Sequence, residues 1–284
     1  MGDPLEDAKK GVEIIGELIK AAGDNPDVKE AGKNIGQAAL TISKTINNAL
    51  LPLAAVNFAF DKARIYFAEK FQEDLSKKAS SIPLEKIVEP KASIAGPALQ
   101  GLAFAHEEPD LKNMYLSLLA NAMDGRVSGE VHPAFVEILK QLNSEEASLL
   151  KVLLPFAAGL PIVEIRKQIN SKQGWNCLGK HVMDFKNSTT NQPIENKNLP
   201  AMIDNWVRLG LVEVDYGTFF VNENSYKWVE QRPEFKKLCE QFKNDEDVKV
   251  VFQRGMIVRS ALGFQFAQAV GIIKEQKLEE KREV

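Results

Sequence analysis

Cysteine is nearly missing from this sequence: Cys177 and Cys239 are the two in 284 residues. They lie far apart and neither belongs to a Cys-x-x-Cys pair, which excludes a disulfide framework and a standard zinc site and fits a reducing cytoplasm. Histidine is as scarce, with three. His106 has no second histidine four residues on, so the helical spacing that holds zinc in metalloproteases is missing. His132 precedes Pro133 with no nucleophile near it in sequence. His181 follows Cys177 by four residues, but in a polar segment with no third group to orient the imidazole. Gly32–Asn34 reads Gly-Lys-Asn without the rest of a phosphate loop. Glu107/Glu108 and Glu145/Glu146 are adjacent pairs, which point apart on a helix and make no acid/base couple. A non-enzymatic protein without cofactor or metal is expected.

Excess charge is lacking too. The formal net charge is −3, which gives no global attraction to nucleic acid or anionic lipid. Nor is there a long apolar run. The uncharged stretches 45–60 and 260–273 are 16 and 14 residues long, short of the roughly 20 needed to span a bilayer. Both contain polar residues (Asn47, Asn48 and Asn57; Gln265 and Gln268) and read as buried helices. The first twenty residues, MGDPLEDAKKGVEIIGELIK, are acidic at once and lack the basic-then-apolar order of a secretion signal. A cytoplasmic protein follows as the expectation, with membrane association conceivable on activation.

What is present is helical periodicity. Residues 5–22 place Leu5, Val12, Ile15, Leu18 and Ile19 at helical spacing. A second helix starts at Pro26 and carries the small residues Gly32, Gly36 and Ala39, which allow close helix approach. A third runs from about Leu53 to Lys78. Prolines 83, 90 and 97 then predict short pieces turning a corner. In EEPDLKNMYLSLLANAMDG, Pro109 marks a helix start, Leu111, Met114, Tyr115, Leu118 and Leu119 form one face, and Gly125 marks the end. HPAFVEILKQL follows, and Ser144 is read as the cap of the next helix.

From there the order reads as helix (144–156), short helix (161–169), polar loop (171–196), helix (199–209) and hairpin. The hairpin pairs LVEV with TFFV across Asp215-Tyr216-Gly217, which is the order of a winged helix-turn-helix. Residues 248–259 read as a further strand that joins the same sheet, which makes 223–246 an insertion in the wing. The expected fold is therefore mostly α: an N-terminal helical bundle (1–130) followed by a winged helix-turn-helix-like α+β domain (131–284) with a C-terminal helix. Asn205 and Arg208, on the exposed face of the third helix, and Tyr216 in the wing are candidate contacts to nucleic acid or a partner. Residues 160–230 hold 8 Lys+Arg and 8 Asp+Glu, so the unit is neutral and DNA is disfavoured against a protein partner. Gly32, Gly36, Leu53 and Ala55 are candidate membrane or oligomer contacts, since an apolar segment broken by Pro52 could lie in a bilayer interface.

The runs MYLSLLANAMDG, HPAFVEILKQLNSEEASLL, NWVRLGLVEV and GMIVRSALGFQFAQAV together resemble the abortive infection alpha family of bacterial proteins. His132, Pro133, Phe135 and Leu142 carry the resemblance most strongly, and the blocks cover roughly residues 85–272. The resemblance implies phage defence and carries over no catalytic residues. Combined with the residue reading, it gives a C-terminal domain that senses or docks a protein, a phage component among the possible partners. The N-terminal helical domain is then an effector or oligomerisation element. A DNA-binding regulator and a membrane-active toxin acting through residues 32–60 are the alternatives.

Overall fold

The computed structural model describes residues 57–171, 174–187 and 189–273. Gly32, Gly36, Leu53 and Ala55, like the two helices expected before residue 50, lie outside the described residues. The chain divides into two compact units: one ends at Lys151 and takes up the chain again from Gln265, and the other is Val152–Phe264.

The first unit is helical. It contains α1 (Asn57–Glu69), α2 (Phe71–Ala79), α3 (Ala92–Ala105), α4 (Pro109–Ala122), α5 (Ala134–Leu139) and most of α6 (Ser144–Leu153), with the end of α9 (Ala261–Ala269). The apolar face read for α4 holds: Leu111, Met114, Tyr115, Leu118 and Leu119 are all buried. The expected long third helix is instead two, interrupted at Lys70. The corner expected around the prolines is in part a helix, since α3 runs through Pro97 with Ala95, Ala98, Leu99 and Leu102 fully buried. That burial offsets the hydrogen bond that proline cannot donate. α6 begins with a reciprocal capping box one residue earlier than the sequence reading placed it. The Asn143 N–H donates to Glu146 Oε2 at 2.9 Å, and the Glu146 N–H donates to Asn143 Oδ1 at 2.9 Å. The stretch 260–273 holds α9, whose Phe266 and Ala267 are fully buried. Among the described residues no helix is long and apolar enough to cross a membrane.

The second unit overturns the winged-helix expectation. Of the described residues about 49% are helical and 18% lie in strands, with a curled, four-stranded antiparallel sheet. Its order is β2-β1-β4-β3, from β1 (Leu160–Ile169), β2 (Trp175–Val182), β3 (Val212–Asp215) and β4 (Val248–Arg259). PIVEIRKQI, expected as a short helix, is β1, and the expected polar loop contains β2. The hairpin between LVEV and TFFV does not form, because β3 pairs with β4, from Val212 opposite Arg259 to Asp215 opposite Met256. Asp215 instead closes a tight turn: its Oδ1 accepts the Gly217 N–H at 2.7 Å and its Oδ2 the Thr218 hydroxyl at 2.5 Å. Phe219 then lies under the Arg254 guanidinium at 4.2 Å, and Phe220 packs against the core. The strand expected at 248–259 is present and joins the sheet. Between β3 and β4 the chain forms a 3-10 segment (Glu223–Gln231) and α8 (Pro233–Gln241).

α7 (Leu199–Arg208) keeps the face read from its sequence, with Leu199, Met202, Ile203 and Trp206 buried. It ends as read, at Gly210. Gly210 has φ +72, the Leu211 N–H returns to the Trp206 carbonyl at 2.9 Å and the Gly210 N–H to that of Val207 at 2.9 Å, the pattern of a Schellman cap.

Candidate functional site

Strand periodicity gives the sheet of the second unit two different faces. Side chains alternate across a strand, so Val163 and Ile165 share one face of β1 while Glu164 and Arg166 share the other. Register carries each face across the sheet: Ile165 lies opposite Phe252 and Lys167 opposite Val250. Val163, Ile165, Leu178, Val250 and Phe252 pack with Tyr226, Val229 and Leu238 into the core of the unit. The other face is polar, with Glu164 opposite Gln253 and Arg166 opposite Cys177.

On that polar face Arg166 is held from three directions. Its Nε donates to Glu164 Oε1 at 3.0 Å, its Nη1 donates to Gln253 Oε1 at 3.1 Å, and its guanidinium lies 3.6 Å over the Trp175 ring. Glu164 is 4% exposed, so the buried carboxylate has its cation two residues along the same strand. Gln253 is oriented in turn by donating from Nε2 to the Tyr216 carbonyl at 2.9 Å. The indole of Trp175 is 51% exposed. The face therefore presents an aromatic ring stacked on a fixed guanidinium, a pairing that loses little side-chain freedom when a partner covers it.

Beside this pair a hydrogen-bonded chain joins α7 to the end of β3. His181 is 6% exposed and adopts φ +57 at the end of β2. Its Nε2 lies 3.1 Å from Asp204 Oδ1, and its Nδ1 lies 3.0 Å from the Tyr216 hydroxyl. A carboxylate only accepts, so Nε2 carries the proton and the Tyr216 hydroxyl donates to Nδ1. Burial pushes the His181 pKa down, against the raising effect of Asp204. Burial also pushes the Tyr216 hydroxyl up to about 12. The ring of Tyr216 packs on Gly255, where a Cβ would fall 2.6 Å from its Cδ1.

The arrangement answers the Cys177–His181 question. Burial and the Glu164 carboxylate raise the Cys177 pKa, so the thiol stays protonated. Both ring nitrogens of His181 are engaged elsewhere. This pair is not an activated nucleophile. His106 donates from Nδ1 to the Ala103 carbonyl, 2.9 Å away, and stacks on Tyr66. His132 Nδ1 accepts the Ala134 N–H at 3.1 Å at the start of α5. Among the described residues no group of three His, Cys, Asp or Glu is placed to hold a metal ion.

Of the contact residues read from sequence, Asn205 and Arg208 lie on α7, where Arg208 Nη2 donates to Asn205 Oδ1 at 2.6 Å. Tyr216 is half-buried between His181 and Gly255 instead of standing on a wing. The sequence reading missed Glu164, Arg166, Trp175 and Gln253. A glutamate inside an apolar run, with an arginine two residues on, was the available signal for the first two.

A family model described as abortive infection alpha matches residues 63–270, whereas no curated protein and no solved structure matches.

Proposed function

Because the chain belongs to the abortive infection alpha family, we propose that it acts in phage defence by recognising a protein partner through residues 152–264, with the helical unit as effector or oligomerisation element. On this reading it works by binding, without catalysis. The observation that supports the binding role is the exposed Trp175 stacked on Arg166, which is itself tied to Glu164 and Gln253. Tryptophan and arginine dominate the few residues that carry most interface energy, and here both are preorganised. A phage component is the partner this reading favours, since it would couple infection to the response.

The test is plating efficiency of a phage panel on cells producing the wild-type chain or Trp175→Ala at equal soluble levels. The wild type is expected to reduce plaques. It should also protect cultures infected at low multiplicity while letting those infected at high multiplicity collapse, the sign of an abortive response. Trp175→Ala is expected to restore plating at least tenfold, since a loss of about 1.4 kcal/mol in binding already raises Kd tenfold. Undiminished protection by a folded Trp175→Ala protein would refute the role given to this face.

A further inference from the structure

β2 is an outer strand of the sheet, so one side of its backbone has no strand partner among the described residues. Such an edge is a template for a further strand, and proteins usually blunt it with proline, shortness or a cover. β2 has eight residues, none of them proline, and Trp175, Asn176, Cys177 and Lys180 are exposed. Along this edge, between β2, the first turn of α7 and α8, opens a groove of about 380 Å³. Ile165, Leu178, Val182, Leu199 and Leu238 give it an apolar floor. Leu178 and Ile165 belong to the sheet face that packs toward α8. β2 carries two extra residues against β1, one between Cys177 and Gly179 and one between Gly179 and Val182, and along its regular part a strand laid against it sends every second side chain to that same face. Alternate residues of an added strand would thus enter the groove.

The charges around the groove are unbalanced in one direction. Glu195 is held by Lys237 at 2.5 Å and Glu234 by the buried Arg232 at 2.5 Å. Lys180 and Lys197 line the same groove, are exposed, and carry no salt bridge among the described residues. Lys197 also acts on Glu195 through space, and the lining holds Lys180, Lys197 and Lys237 against Glu195 and Glu234, so positive charge is in excess.

We propose that this groove binds an extended segment of a partner protein, added to the sheet beside β2, with alternating apolar residues entering the groove and one or two carboxylates meeting Lys180 and Lys197. Backbone pairing supplies affinity and the groove and lysines supply selection, the division of labour of strand addition. The inference rests on the reading of residues 152–264 as a partner-binding unit, and names where the partner sits and what chemistry it presents.

The test is selection of random dodecapeptides by mRNA display on the full chain, followed by fluorescence polarisation with synthetic copies of the enriched peptides. Enriched peptides are expected to alternate apolar residues with Asp or Glu. Binding should weaken at least tenfold in Lys180→Glu/Lys197→Glu, two exposed positions whose exchange leaves the fold intact by circular dichroism. N-methylation of every second peptide amide should abolish binding in one phase of the alternation and spare it in the other, which a merely electrostatic contact would not show. No enrichment over an unrelated protein, or binding indifferent to both changes, would overturn the proposal. A dimer in light scattering that dissolves in the charge-reversed variant would assign the edge to a second copy and overturn it as well. The two readings separate in the plating assay. Peptide binding lost with protection intact sinks the sensing role and leaves the site. No peptide selected, with protection lost in Trp175→Ala, sinks the site and leaves the role.

Discussion

Arg232 is the residue on which the second unit most visibly depends, and its removal makes a quantitative test. It is 1% exposed and four of the five N–H donors of its guanidinium are used. Nη1 donates to the Phe185 carbonyl at 2.8 Å, Nη2 to the Ile194 carbonyl at 2.7 Å, and Nε and Nη2 to the two oxygens of Glu234 at 3.0 and 2.5 Å. One side chain thereby pins the segment after β2 to the start of α8. Arg232→Met keeps the stem and deletes every donor, leaving two carbonyls and a carboxylate without their partner. Breaking a buried pair from one side costs about 3–5 kcal/mol, and the residual exposure of Glu234 places this site toward the lower end. All three tryptophans of the chain, Trp175, Trp206 and Trp228, fall within residues 152–264, so fluorescence during urea unfolding reports on this unit. With a slope of about 2 kcal/mol per molar urea, the midpoint should fall by about 1.5–2 M. Arg232→Met/Glu234→Met should lose less than the single variant, because the orphaned charge has gone. A single variant within about 1 kcal/mol of wild type, or a double variant worse than the sum of the singles, would refute the reasoning.

Two further outcomes follow from buried groups. Trp206 is 0% exposed and its Nε1–H meets no acceptor among the described residues, so Trp206→Ala should cost about 3–5 kcal/mol while Trp206→Phe, which removes an unsatisfied donor, costs clearly less; equal losses in urea unfolding would show that the indole nitrogen is satisfied. For His181, a pKa lowered by burial from the ordinary 6.5 means the folded state binds fewer protons than the unfolded state. Stability of the unit should be fully present above pH 6.5 and fall as pH drops below it toward the depressed folded value. His181→Asn, a residue that tolerates the positive φ, should flatten that slope, and an unchanged slope in urea titrations at stepped pH would clear His181 of the effect.

The helices were legible because their information is local. Five apolar residues on one face of α4, the glycine after α7 and the buried face ending in Trp206 all sit within a few residues of what they determine. One local slip was small: reading Ser144 as the cap put Ala147 where a glutamate is wanted, and a shift of one residue turns the same letters into the Asn143–Glu146 box. Pro97 escaped because what tolerates it is packing by Ala95, Ala98 and Leu99, residues whose burial no single turn of sequence reveals.

The sheet was illegible for the opposite reason. PIVEIRKQI is short enough to serve as helix or strand, and its β-branched Ile162, Val163, Ile165 and Ile169 tipped the balance only once residues 248–257 lay beside it. β2 is stranger still by composition, since asparagine, glycine and lysine are poor strand formers; it is a strand because β1 offers an edge. TFFV alternates like a strand and is none, because β4 had already taken the partner of LVEV. The polar site inherits this property. Arg166 reaches Trp175 and Gln253 through register, across hairpin and crossover, so no motif could have announced it. Glu164 is the exception. A carboxylate among isoleucine and valine must find a cation if its segment is buried, and if the segment is a strand, the residue two positions on shares its face. Arg166 occupies that position, so the pair at the centre of the polar face follows from five letters, IVEIR, once the strand is granted.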